Sequence, residues 1–83
     1  MSYEKVKQAT KTIIGTKQVV KTIRTGQVKE LFVALDADAK VTDPVVALAK
    51  KSDIPINFVD SKKDLGKACG IQVGAAVVAI TAD

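Results

Sequence analysis

The chain reads as an α/β protein, and more narrowly as a three-layer α/β/α sandwich. Three observations carry this. Short apolar runs alternate with helical patterns along the chain. The run Leu31-Phe32-Val33-Ala34-Leu35 holds no polar residue, as a strand buried on both faces requires. Turn and capping residues punctuate the segments at Gly15, Gly26, Ser61 and Gly70.

In order, a first helix is expected over 3–11. Its apolar face is thin: Tyr3, Val6 and Ala9 or Thr10. A short strand follows at 12–14. Gly15 makes the turn into a second helix, which begins near Thr16, with Thr16 as its N-cap, and stops before Gly26, an αL cap. The strand at 31–35 ends in Asp36-Ala37-Asp38-Ala39. Asp43-Pro44 offers an N-cap and a proline at the first position of a third helix. Val45, Val46, Leu48 and Ala49 form its buried side, and Lys50 and Lys51 occupy its last turn, where the dipole favours cations.

Ile56-Asn57-Phe58-Val59 is a further strand. Ser61-Lys62-Lys63-Asp64 has the form of a capping box and opens a fourth helix that runs to about Ala68. Gly70 to Gly74 is a loop, and 75–80 is the last strand. No linker, repeat or low-complexity tract interrupts the chain, so residues 1–83 are read as one domain.

The second helix carries the chemistry. Val19, Val20 and Ile23 give it a core face. Lys17, Lys21 and Arg24 fall at i, i+4 and i+7 on another face. Like charges so spaced repel by roughly 0.2–0.5 kcal/mol per pair. A chain built only for stability has no reason to stack them. The helix start also aims backbone N–H groups and a partial positive charge beyond Gly15 and Thr16. A cationic stripe leading back from such an end suits a polyanion. A solvated helix face accounts for the same spacing, so spacing alone leaves both open.

Thirteen cations against 9 anions give a net charge of +4, which makes nucleic acid or an anionic surface an expected partner. One cysteine, Cys69, permits no intrachain disulfide and reads as a small packed side chain. The absence of histidine speaks against zinc sites and His-based catalysis. Asp36 and Asp38 do not make a metal site, because no further ligand set accompanies them. No cofactor is called for. The start Met1-Ser2-Tyr3-Glu4-Lys5 has no apolar signal region, and no apolar run reaches membrane-spanning length, so the expected location is the cytoplasm.

Two segments together resemble a known family. One runs from Gly15-Thr16-Lys17-Gln18 through Lys21 and Arg24 to Gly26. The other runs from Ser61-Lys62-Lys63-Asp64-Leu65-Gly66 through Gly70-Ile71-Gln72-Val73-Gly74 to Ile80. Both are similar to the kink-turn RNA-binding family of ribosomal proteins, the L-seven-Ae and L-thirty-e type, and the short chain is most similar to its compact bacterial members. The likeness covers nearly the whole chain.

That resemblance implies a four-stranded mixed sheet whose last strand is antiparallel to the others and inserts between them. Gly15 and Gly74 then lie at the same sheet edge. It also implies RNA contact by Gly15, Thr16, Lys17, Gln18, Lys21, Arg24, Ile71, Gln72 and Val73. The family often has asparagine at the position of Lys17 and glutamate at that of Gln18, where they read guanine edges of tandem sheared G·A pairs. Lysine can donate to guanine O6 and N7, and Gln18 keeps an acceptor and gains donors without the charge. Lys21 matches the family lysine.

Ile71, Gln72 and Val73 match the loop that covers a flipped-out nucleotide, a contact that would here be aliphatic. One of Ile71 and Val73 packs and the other faces ligand; spacing leaves open which. Lys67 is a further cation within reach of phosphate, on a helix surface shared with Lys62 and Lys63.

The expected function is therefore non-catalytic binding and stabilisation of kinked structured RNA, ribosomal or regulatory, by a monomer that associates with RNA and with the ribosome. The rival readings are a protein-binding scaffold in a ribonucleoprotein, acting through the third-helix surface, and a small α/β enzyme. No nucleophile–base pair or Gly-rich phosphate loop supports the enzyme.

Overall fold

A computed structural model describes residues 3–8 and 11–81. Its elements are α1 (Glu4–Gln8), β1 (Thr12–Ile14), α2 (Thr16–Arg24), β2 (Val28–Ala34), α3 (Ala39–Lys51), β3 (Ile56–Val59), α4 (Lys62–Ala68) and β4 (Val77–Thr81). The sheet order is β1-β4-β2-β3. β4 pairs antiparallel with both neighbours, while β2 and β3 are parallel. The last strand thus enters the middle of the sheet against the direction of the rest, as the resemblance implied. Ala9 and Thr10, expected in the first helix, lie outside the described residues, and Lys11, its expected end, is not helical.

Two-residue periodicity sorts the core into two layers. Leu31, Val33, Val77 and Ala79 point to one face, where Val19 and Ile23 of α2 and Val45 and Ala49 of α3 cover them. Phe32, Ala34 and Val78 point to the other, under Val6 of α1 and Leu65 and Ala68 of α4. The central strands are therefore apolar at every position over these stretches. Burying each such Val, Leu or Phe contributes about 1.5–3 kcal/mol relative to leaving it exposed.

The third helix begins earlier than expected. Asp38, not Asp43, is its N-cap and accepts from the Lys40 N–H at 3.0 Å. Pro44 lies inside the helix rather than at its first position. It has no N–H to give the carbonyl four residues back, that of exposed Lys40. Asp38 and Asp43 offer the same capping chemistry; packing selects between them. Starting at Ala39 sets Thr42, 7% exposed, one turn before Val45 over the sheet.

β2 also starts earlier, at Val28, three residues before the apolar run. Glu30 is held there by Lys5 Nζ at 3.1 Å and by Asn57 Nδ2 at 2.7 Å. The pairing with β4 shifts register between Val28 and Glu30, which is why no clean alternation marked this stretch. β4 begins at Val77 rather than Ala75, because Ala75 N–H donates to the Lys62 carbonyl at 3.0 Å and belongs to the loop.

At the start of α4 only half of a capping box forms. Ser61 Oγ accepts from Asp64 N–H at 3.1 Å. Ser61 N–H turns instead to the Tyr3 hydroxyl at 3.4 Å. Lys62 N–H donates to Asp36 Oδ1 at 2.8 Å. Asp36 and Asp38 therefore serve two different helix starts.

Candidate nucleic-acid interface

Gly15 joins β1 to α2 with φ +103° and ψ 138°, a backbone state that L side chains rarely adopt. A Cβ built there meets nothing within 4 Å, so the conformation and not space demands glycine. Gly15 is itself the N-cap, and no side chain caps the helix. Thr16 is therefore not the cap: it is the first helical residue, half-buried. The helix begins right after a strand end, so the cap position falls on the residue that must turn.

The first turn of α2 thus keeps backbone N–H groups without side-chain acceptors and carries no acidic residue. Lys17, Gln18, Lys21 and Arg24 are all exposed, while Val19 and Ile23 anchor the helix below. Gly26, at φ +76°, ends it as expected.

The second component is the segment 70–76. Ile71 N–H donates to the Gly66 carbonyl at 3.1 Å, and Ala75 N–H to that of Lys62 at 3.0 Å, so both ends of the loop are tied to α4. Ile71 is half-buried against the α1–α4 cluster. Val73 is 70% exposed. The open choice is thereby decided: Ile71 packs and Val73 faces outward, beside exposed Gln72.

Backbone bonds bring the two components to one end of the sheet. Gly15 N–H donates to the Val77 carbonyl at 3.4 Å, and Ala34 N–H to that of Ala76 at 3.0 Å. The loop's exit therefore passes between the ends of β1 and β2. Gly15, Thr16, Lys17 and Gln18 follow the end of β1 into α2, on one face of the sheet, and Gln72 and Val73 lie on the loop tied to α4, on the other. Lys21 and Arg24 run away from this rim along α2; Arg24 is about 12 Å from Thr16 at 1.5 Å rise per residue.

One residue that positions the site was not singled out from the sequence. Gly66 is buried in α4, and a Cβ there would run into the Val73 carbonyl oxygen. The available signal was a glycine inside a short helix, disfavoured by about 1 kcal/mol relative to alanine with no turn to explain it.

Cys69 sits half-buried against the same cluster, and burial pushes its thiol pKa up, which disfavours the reactive thiolate. Among the described residues no group of three or more His, Cys, Asp or Glu could hold a metal ion. None of their helices is long and apolar enough to cross a membrane.

Fold and rim together define a class: a small α/β/α sandwich presenting a cationic, side-chain-uncapped helix start beside an exposed aliphatic loop. The chain belongs to the ribosomal protein L7Ae/L30e/S12e/Gadd45 family, whose model matches residues 2–83. It is 56% identical over 80 residues to an RNA-binding protein of Geobacillus sp. (strain WCH70), covering 96% of this chain and 98% of that one. It is 54% identical over 80 residues to the RNA-binding protein YbxF of Geobacillus stearothermophilus, with the same coverage. Among solved structures, the Giardia lamblia 15.5kD RNA binding protein superposes with a TM-score of 0.87 at 25% identity, over 98% of this chain and 71% of its own. The family is not one of enzymes.

Proposed function

We propose that this protein binds structured RNA and stabilises a kinked internal loop closed by tandem sheared G·A pairs, as a cytoplasmic monomer associated with ribosomal or regulatory RNA. The observation that carries the reading is that backbone bonds bring the start of α2, with Lys17 and Gln18, and the exit of the loop that bears exposed Val73 to one end of the sheet, in a chain whose relatives are named RNA-binding proteins.

A-form duplex hides its major-groove base edges, so they become readable only where the helix is opened or bent. Lys17 donates to guanine O6 or N7, and Gln18 supplies both a donor and an acceptor at the next position. The open N–H groups after Gly15 and the ammonium of Lys21 take phosphate. Val73 covers an unstacked nucleotide with an aliphatic surface, and Gln72 adds a polar group beside it. Arg24 extends the phosphate contact along the helix. Binding the bent RNA more tightly than the open one shifts the RNA's own equilibrium toward the bend.

The test is a comparison of affinities, at one salt concentration, for a kinked loop with G·A pairs and for a plain duplex of equal length. Preference for the kinked RNA is expected. Equal affinities overturn the base-reading claim. The scaffold reading has one observation in its favour: Val41 on α3 and Phe58 on β3 are 40% and 43% exposed. Binding to a protein with no RNA shift would favour it.

A further inference from the structure

We propose that the phosphate footprint continues from α2 onto the C-terminal turn of α3, where Lys50 and Lys51 hold the backbone of the duplex arm that adjoins the kink. This rests on the RNA reading above and extends it to a surface at the opposite end of the sheet.

The charge distribution carries it. α2 and α3 form one layer over one face of the sheet. Each runs back against a strand it follows, so both start at the Gly15 rim and end at the far edge. Their residues include six cations, Lys17, Lys21, Arg24, Lys40, Lys50 and Lys51, against one carboxylate, Asp43. That layer's net +5 exceeds the +4 of the whole chain, so everything else together is slightly acidic. All six cations are exposed, and none makes a salt bridge among the described residues. The opposite layer, α1 and α4, is less cationic at net +3, with five lysines against Glu4 and Asp64, and one of those lysines, Lys5, is engaged by Glu30 at 3.1 Å. Asp53, in the turn after α3, is the carboxylate nearest Lys50 and Lys51 along the chain; its N–H donates to the Lys50 carbonyl at 3.2 Å, and among the described residues its carboxylate forms no ion pair with either lysine.

The length of the layer fits a duplex arm. α3, with 13 residues, spans about 20 Å, the length of several base-pair steps of a duplex arm. An RNA arm leaving the kink over Lys17 therefore passes Lys21 and Arg24 on one helix and reaches Lys50 and Lys51 on the next. Its occupant is a polyanion by charge, and an extended one by the length over which the cations are spread. Cations in the last turn of α3 also complement its dipole, so the test must separate helix stability from RNA contact.

The experiment measures affinity over a salt series for wild type, a Lys50→Ala/Lys51→Ala variant and a Lys50→Arg/Lys51→Arg variant. Each is tested against a kinked RNA with arms of about three base pairs, and against versions with either arm lengthened to about ten. With the one long arm that follows the layer, the alanine variant is expected to flatten the log–log salt slope by about two units, and the arginine variant to restore it. With short arms the three proteins bind alike. Melting curves confirm that all are folded at the assay temperature. An unchanged slope on both long-armed RNAs overturns the inference, and so does an equal loss on short and long arms. Wild-type preference for the kinked loop over plain duplex is measured in parallel. Its absence overturns the kink reading, while the Lys50–Lys51 contact stands or falls on the arm-length difference alone.

Discussion

The carbonyl oxygen of Val73 occupies the space that a side chain at Gly66 would need. This close approach, with the bonds from Ile71 N–H to the Gly66 carbonyl and from Ala75 N–H to that of Lys62, presses the 70–75 loop onto α4 and leaves the Val73 side chain outward. The aliphatic part of the proposed RNA site is therefore set by a backbone contact, and glycine is its condition.

Gly66→Ala tests that contact. Alanine is the better helix former by about 1 kcal/mol, so on propensity alone the variant should be more stable. The Val73 carbonyl is backbone and cannot swing away, so overpacking of about 1–3 kcal/mol is expected to dominate. Thermal unfolding should show a melting temperature lowered by several degrees, since 1 kcal/mol moves a domain of this size by roughly 4–8 °C. A raised melting temperature would show that the loop rides on α4 loosely.

Ile71 and Val73 should part company under the same substitution. Ile71→Asp buries a carboxylate against the α1–α4 cluster and is expected to cost stability, visible as a shifted denaturation midpoint. Val73→Asp alters a side chain that is 70% exposed, so the midpoint should stay within about 0.5 kcal/mol of wild type. RNA affinity should nevertheless fall, because the carboxylate stands near phosphate and the aliphatic contact is lost. Undiminished affinity of Val73→Asp would remove this loop from the interface.

Charge and recognition separate on α2. Lys21→Ala should weaken binding and flatten the salt dependence by about one unit of log–log slope. Gln18→Ala removes a neutral group, so the slope should hold while discrimination between G·A-containing and substituted loops narrows by about 1–3 kcal/mol. Titrations at several salt concentrations give both quantities. If neither variant changes affinity, slope or discrimination, α2 is not the RNA-binding element.

The helix starts supply a stability series. Asp38→Ala removes the acceptor for Lys40 N–H and should cost about 1 kcal/mol in chemical denaturation. Asp43→Ala, at an exposed position inside α3, should stay within about 0.5 kcal/mol. Thr16→Ala should be equally mild, because Gly15 holds the cap position of α2. A loss near 1 kcal/mol at Asp43, with none at Asp38, would place the start of α3 where the Asp43-Pro44 pair first suggested.

By itself the sequence determined the alternation of strands and helices, the apolar central strand read at 31–35 (Leu35 in fact lies past its end and is 62% exposed), the extent of α2 and the glycine at its end. These follow from local chemistry: periodicity, positive φ and the cost of leaving apolar groups in water. The order of the strands came only through the resemblance, since pairing is a relation between distant segments. The tertiary structure alone decided which of two aspartates caps α3, because both offer the same acceptor and only packing of Thr42 and Val45 over the sheet distinguishes them. It alone extended β2 back to Val28, where Glu30 is made tolerable by Lys5 and Asn57 from other elements. It alone turned Ile71 inward and Val73 outward. In a five-residue loop both are merely apolar, and the difference arises from the helix surface beneath them, which the chain supplies from Gly66 and Lys62.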